Sequence, residues 1–237
     1  ERFVGRGERV LIKPNIGWDR LPEQAANTDP AVIAELVTLC RAAGAARVIV
    51  TDISCNDPRR CFARSGLAAA AAGAGAEVIE AQQLRLVPAA LAGLAGGLEV
   101  IDLLWEVDRV INVPVVKHHS LSRATLGMKN WFGVLGRGRN RLHQSIHRAT
   151  AELGATFRPT LTVMDATRVL LASGPQGGSL ADVRAVGAVA AGTDPVACDA
   201  WGAAQLGLAP HSLGFLAEAE QRGLGRGDVS LVQELSG

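Results

Sequence analysis

Short apolar runs alternate with helical patterns along the chain. Residues 8–13 (E-R-V-L-I-K) and 47–51 (R-V-I-V-T) are the first two runs, and both have the length and composition of a buried strand. Between them, Ile33 and Val37 recur at helical spacing behind N-T-D-P at 27–30, where an acidic cap precedes a first-turn proline. This strand–helix–strand order predicts a parallel sheet with right-handed helical crossovers.

The same reading extends over the rest of the chain. Further strands are predicted at residues 76–80, 108–113, 160–164 and 184–191. Further helices are predicted in the alanine-rich stretch ending near Gly73, over about 141–153, from Pro195 onward and over about 212–222. The less regular stretch 84–105 fits a helix or an excursion with an edge strand. We therefore predict a single α/β domain over residues 1–237, with a mostly parallel sheet flanked by helices.

Composition narrows the class of protein. A hydrophobic content of 48% with 20% charged residues is ordinary for a globular domain, and the net charge of +1 gives no argument for nucleic acid or a membrane surface. No apolar run reaches the roughly 18 residues that a spanning helix needs. The first residue, Glu1, lies close to the first strand, so an N-terminal segment could have been removed, and both a cytoplasmic location and export fit the sequence.

Lysine and histidine are concentrated in one window, residues 117–147. The chain has only three lysines and five histidines, and two of the lysines and four of the histidines fall in this window. Both residue types can titrate near neutral pH in a suitable environment, whereas arginine cannot. We therefore interpret the window as the chemical centre, with Lys117, His119 and Lys129 as candidate catalytic residues.

Several apolar runs end in polar residues that a parallel sheet would bring together. Ligands bind at the carboxyl ends of strands in open α/β sheets. This placement predicts that Lys13, Asn15, Asp52, Lys117 and Asp165 lie at one edge and form a ligand-binding cleft. Asn130 is a further candidate for hydrogen bonding to the ligand.

Two histidines have the spacing of a metal site. His143 and His147 lie four residues apart, which would place them on one face of the predicted helix over 141–153. We expect His143 to be the principal ligand, with His119 or His147 as the second. Asp52 and Asp199 are predicted to orient the histidines or to bind the metal.

The four cysteines leave alternatives open. Cys40 has the helical spacing of a core residue. Cys55 and Cys61 flank a short loop and could form a disulfide in an exported protein, or join Cys198 as ligands of an iron–sulfur cluster.

Arginines also occur near the end of the lysine and histidine window. Arg137, Arg139 and Arg141 are typical of a solvated loop, although with Arg148 they could hold a carboxylate or a phosphate. Arg141 is included among the candidate ligand-binding residues.

The chain resembles a family catalogued as domain of unknown function 362. The resemblance rests on V-L-I-K-P-N, A-N-T-D-P, V-I-N-V-P-V-V-K-H-H, T-L-G-M-K-N-W-F-G, T-V-M-D and T-D-P-V-A-C-D-A, which are spread over most of the chain. It implies an α/β fold. It also implies that export by the twin-arginine route is common among relatives of this type and that some members carry ferredoxin-type iron–sulfur modules, whose C-x-x-C-x-x-C run is absent here.

A more distant likeness is to the nickel-pincer lactate racemase family. By order along the chain, the likeness implies that His119 is the acid/base, Lys129 carries the cofactor and His143 binds nickel. The double glycine that precedes the lysine in that family is replaced by Gly127-Met128.

Together these features predict an enzyme that acts on a small anionic substrate with a nickel, iron or zinc ion or a metal cofactor. Two other classes stay open: an iron–sulfur redox protein with a cluster on Cys55, Cys61 and Cys198, and a non-catalytic protein that binds an anion through its lysines and arginines.

Overall fold

A computed structural model describes residues 2–91, 93–94, 96–231 and 233. Its strands are β1 Arg9–Pro14, β2 Arg47–Val50, β3 Glu77–Val78, β4 Leu86–Ala89, β5 Leu98–Ile101, β6 Arg109–Val113, β7 Val115–His119, β8 Arg123–Thr125, β9 Leu161–Leu170 and β10 Val183–Gly192. Its α-helices are α1 Pro30–Ala42, α2 Pro58–Arg64, α3 Leu67–Gly73, α4 Leu103–Glu106, α5 Gly127–Asn130, α6 Ile146–Thr156, α7 Pro195–Gln205 and α8 Gly214–Gln221.

A mixed, mostly parallel sheet forms the centre of the fold. β3, β2, β1, β6 and β9 follow one another as parallel neighbours, and β7, which is separated from β6 only by Pro114, continues the parallel pairing with β9. β8 is antiparallel to β7, and β10 is antiparallel to β9. The α/β class with a mostly parallel sheet is therefore confirmed.

The helices begin where the sequence places caps. The Asp29 carboxylate accepts a hydrogen bond from Ala31 N at the start of α1, and Asp194 accepts hydrogen bonds from Val196 N and Ala197 N at the start of α7. Cys40 lies on the buried face of α1, as its spacing predicts. In the described part of the chain, no helix combines the length and apolar character needed to cross a bilayer.

Three parts of the fold differ from the predicted pattern. The strand at 184–191 forms as β10 but runs antiparallel, because the segment after β9 returns without a crossover helix. The irregular stretch at 84–105 contains the antiparallel pair of β4 and β5, outside the main sheet. The helix predicted over 141–153 is wrong at its start, where a 3-10 helix over Arg139–Ser145 precedes α6.

Candidate functional site

A cavity of about 370 Å³ opens at the carboxyl ends of β1, β2 and β7. Its polar lining comes from Asn15, Asp52, Cys55, Lys117, His119, Thr125, Lys129, Asn130, Arg139, Asn140 and His143. Among these lining residues Asp52 is the one carboxylate, and it faces three cationic side chains. The lining therefore favours a ligand that carries negative charge.

The floor of the cavity is a buried ion pair. Lys13 Nζ lies 2.7 Å from Asp52 Oδ1, and both side chains are almost fully buried. Lys13 Nζ also donates to the Pro14 carbonyl, and Asp52 Oδ2 accepts a hydrogen bond from Ile16 N at 2.7 Å. Burial lowers the pKa of Lys13, whereas the Asp52 carboxylate acts in the opposite direction.

Gly133 makes room for this pair. A Cβ atom at this position would lie 1.9 Å from Asp52 Oδ1 and 2.8 Å from Lys13 Nζ, which are distances that no side chain can adopt. The last glycine of T-L-G-M-K-N-W-F-G is therefore required by close packing against the ion pair.

Lys117 is held by a chain of amides. Its Nζ donates to Asn15 Oδ1 at 2.9 Å and to the Ala26 carbonyl. Asn15 Nδ2 donates to Asn130 Oδ1 at 3.0 Å, and Asn130 Nδ2 donates to Asn112 Oδ1 at 2.8 Å. Burial lowers the pKa of Lys117 to about 7. Asn15 and Asn130 thus position a lysine, whether or not they also contact a ligand.

Lys129 projects from the short helix α5. Its Nζ lies 4.3 Å from the centroid of the Phe132 ring, and the residue is 6% exposed. In the described part of the chain, Lys129 Nζ has neither a hydrogen-bond acceptor nor a salt-bridge partner. Burial lowers its pKa to about 8.

Asp199 fixes the start of α5. Its carboxylate accepts hydrogen bonds from Gly127 N at 2.6 Å and Met128 N at 3.0 Å, and a Cβ at Gly127 would lie 2.7 Å from Asp199 Oδ1. Burial raises the pKa of Asp199 to about 7. The sequence predicted that Asp199 orients the histidines or binds metal, but the contacts of its carboxylate in the structure are different. The carboxylate positions the helix that carries Lys129.

The ring of His119 is held in one tautomer. Its Nδ1 accepts hydrogen bonds from Leu121 N at 3.1 Å and Ser122 N at 3.3 Å, so the proton of the neutral ring lies on Nε2. Burial and the neighbouring lysines lower its pKa to about 2. His119 can therefore donate a hydrogen bond to a ligand from Nε2, but it has no free lone pair for a proton or a metal.

His143 has the complementary arrangement. Its Nδ1 lies 3.2 Å from the Asn140 carbonyl, which can only accept, so Nδ1 carries the proton and Nε2 has a free lone pair. Burial and the Lys129 ammonium lower its pKa. The His143 ring also packs edge-on against Phe132, with 5.4 Å between centroids.

His147 does not accompany His143 into the cavity. The two residues lie on either side of the boundary between the 3-10 helix and α6, so their spacing does not correspond to one α-helical turn. The His147 ring stacks on Phe215, with 6.3 Å between centroids. The structure therefore separates the predicted histidine pair.

The three cysteines predicted to hold a cluster lie in different places. Cys55 is exposed and lines the cavity, and Cys61 is buried on α2 with its thiol beside Ser54 and the Asn56 backbone. Cys198 is buried on α7 in a separate core. All four cysteines of the chain are free thiols, and burial raises the pKa of Cys198 to about 12. Cys55 and Cys61 are not bonded to each other, and Cys198 lies in a different core, so the three thiols are not gathered around one cluster site.

One arginine of the loop lines the cavity, but it is not Arg141. Arg139 donates to the carbonyls of Ile53 at 3.0 Å and Ser54 at 2.9 Å and lies beside Cys55. Arg141 instead donates to the Gly96 carbonyl, away from the lining. The sequence favoured a solvated loop for Arg139. Its partners in the fold are backbone carbonyls, and such contacts leave no signal in the sequence.

No complete metal-binding group is formed by the residues that the structure describes, since no three His, Cys, Asp or Glu side chains cluster as possible ligands. Two potential ligands, His143 Nε2 and the Cys55 thiol, do line the same cavity.

The protein thus belongs to the α/β class and has a lysine-rich cavity at the carboxyl ends of its strands. The profile of the family described as Domain of unknown function (DUF362) matches residues 10–204, and the chain belongs to this family. It is also similar to the Thylakoid-associated protein sll1697 of Synechocystis sp., with 26% identity over 246 aligned positions that cover 99% of this chain and 74% of the relative.

Proposed function

We propose that this protein is an enzyme that binds a small anionic substrate, most simply a carboxylate, and transfers protons in the cavity. The observation that carries the proposal is the placement of the lysines. All three lysines of the chain are buried around one cavity, and within the described structure only Lys13 is paired with a carboxylate. Two buried, uncompensated ammonium groups are costly, so their presence is best explained by a ligand that supplies the missing charge.

The remaining groups support acid–base chemistry. Lys117 and Lys129, with pKa values near 7 and 8, can each hold or release a proton close to neutral pH. His119 offers Nε2–H to a substrate oxygen that gains negative charge, and His143 Nε2 can accept a proton.

Two measurements test the proposal. Small carboxylates and phosphates would first be screened by calorimetry for binding to the wild-type protein, to Lys117→Met and Lys129→Met, and to the surface control Arg59→Met. Bound compounds would then be incubated in D₂O, and exchange at the carbon next to the carboxylate would be followed by NMR. We expect binding and exchange in the wild type and in Arg59→Met. Absence of anion binding by the wild type would contradict the proposal, and binding without turnover would favour a non-catalytic anion-binding protein.

A metal-dependent form of the reaction is the second candidate. It is supported by the free Nε2 of His143 and by the Cys55 thiol, because both residues line the same cavity. Nickel, iron and zinc all accept such ligands. Metal analysis of the purified protein and of His143→Ala tests it, because a bound metal held at this site would be lost in the variant.

The distant likeness to the nickel-pincer family is supported only in part. His119, Lys129 and His143 all line the cavity, in agreement with the order along the chain. The Nδ1 lone pair of His119 is occupied by two backbone donors, so this residue does not fit the role of a base. The proton transfers proposed above therefore use the side chains of this protein and not that cofactor.

A further inference from the structure

Lys129 differs from the other two lysines in what its amine contacts. Lys13 Nζ has a carboxylate at 2.7 Å, and Lys117 Nζ has an amide oxygen at 2.9 Å and a backbone carbonyl. Lys129 Nζ has only the Phe132 ring, although the residue is about as buried as the others. Lys129 lines the cavity and its amine has no acceptor among the described residues, so the amine is available to a ligand that enters there.

We propose that Lys129 forms a Schiff base with the carbonyl carbon of an oxo acid bound in the cavity. This inference rests on the proposed function, because it names the class of anion and the residue that binds it covalently. An amine that is buried next to other cations is favoured in its neutral, nucleophilic form.

Neighbouring groups match the two ends of an oxo acid. Lys117 uses two of its three N–H donors on protein oxygens, so the third is available to a carboxylate. At the other end, His119 offers Nε2–H, and the Thr125 hydroxyl is buried in the lining with no partner in the described structure. Both groups can hydrogen-bond a carbonyl oxygen.

The chemistry balances without a further reactant. The neutral Lys129 amine attacks the carbonyl carbon, a C–N bond forms, and the C=O π electrons move to the oxygen, which takes a proton. The nitrogen lone pair then forms C=N and expels this oxygen as water. Overall, one ammonium and one carbonyl give one protonated imine and one water. The His143 ring packs on the same Phe132 ring as the Lys129 amine, and its Nε2 can accept the proton that leaves Lys129.

Reductive trapping tests the inference on the wild-type protein. The protein would be incubated with pyruvate and cyanoborohydride, and the modified residue would be located by peptide mass spectrometry. Propionate, which has the carboxylate but not the reactive carbonyl, is the matched ligand control. With only three lysines in the chain, assignment of the adduct is unambiguous. We expect a stable adduct on Lys129, none with propionate and loss of the adduct in Lys129→Arg, which retains the charge.

Other results have defined meanings. An adduct mainly on Lys13, Lys117 or a terminal amine would overturn the inference, as would an adduct that disappears in Cys55→Ser but persists in Lys129→Arg. Binding of pyruvate and propionate without any adduct would overturn the Schiff base and leave the proposed function standing. Failure of every anion to bind would overturn the proposed function itself.

Discussion

Lys13 at the floor of the cavity and Lys129 on its wall have opposite surroundings. At the floor, Lys13 is paired with Asp52, hydrogen-bonded to a carbonyl and enclosed by a glycine that leaves no spare volume. On the cavity wall, Lys129 is also buried, but its amine contacts only an aromatic ring among the described residues. The Lys13 ammonium thus has its counter-ion within the protein, whereas the Lys129 amine does not. Incomplete polar contacts lower stability, so the comparison distinguishes a lysine with a structural partner from one that is available to the proposed ligand.

Substitution of Gly133 should have the largest effect, because it disrupts the floor. In Gly133→Ala, the new methyl group would overlap the Lys13–Asp52 pair, and we expect a loss of more than about 4 kcal/mol of unfolding free energy, or failure to fold. Urea denaturation measures the change. Gly73→Ala is the matched control, since nothing lies within 4 Å of its added Cβ, and it should be neutral. Equal stability of the two variants would mean that the floor is not tightly packed.

Removal of the paired lysine should cost somewhat less. Lys13→Met leaves the Asp52 carboxylate buried without its cation, and we expect a loss of about 3–5 kcal/mol in the same assay. The double variant Lys13→Met/Asp52→Leu should recover part of this loss, because no isolated charge is left behind. Additive losses in the double variant would contradict a direct interaction.

Substitution of the unpaired lysine, Lys129, should not lower the stability of the protein. Lys129→Met replaces a buried ammonium that has no anionic partner in the described structure with an apolar chain of similar length. We therefore expect unchanged or higher stability together with loss of anion binding. Thermal unfolding with calorimetric titration measures both. A marked loss of stability would show that Lys129 belongs structurally with the floor.

The smallest expected effect is a pH dependence of stability. The pKa values of Lys117 and Lys129 are lowered to about 7 and 8, whereas an unfolded lysine titrates near 10.5. Above pH 7 the unfolded state therefore binds more protons than the folded state, so stability should rise with pH. The rise should be visible up to about pH 8.5, where buried cysteine thiols begin to act in the opposite direction. Denaturation at several pH values should show this slope in the wild type and not in Lys117→Met/Lys129→Met.

The sequence predicted the sheet well because strand and helix signals are local. The caps at Asp29 and Asp194 and the apolar runs of β1 and β2 need no tertiary information. Because the strands share a direction, Asn15, Asp52 and Lys117 line one cavity, and Lys13 pairs with Asp52 there. Asp165, which was expected at the same edge, does not line the cavity and instead accepts hydrogen bonds from Asp29 N and Thr167 N. The residues whose placement differed from the prediction, by contrast, depended on helix phase or on a tertiary contact.

Three residues illustrate that dependence. His147 was assigned to the face of His143 on the assumption of a continuous α-helix, but a 3-10 helix precedes it and changes the phase. Cys198 belongs to the buried face of α7, which packs into a core away from Cys55. The role of Arg139 depends on two carbonyl groups after β2, and backbone acceptors carry no sequence signature.

The confinement of every lysine to one cavity has a practical consequence for chemical labelling. The many cations on the outer surface are arginines, and no lysine side chain is more than 6% exposed. Amine-directed reagents such as succinimidyl esters and protein cross-linkers will therefore find almost no lysine on the folded protein. Any lysine that they do acylate lies at the cavity, so a bound ligand should protect it from the reagent. Protection from acylation therefore provides a direct assay for ligands.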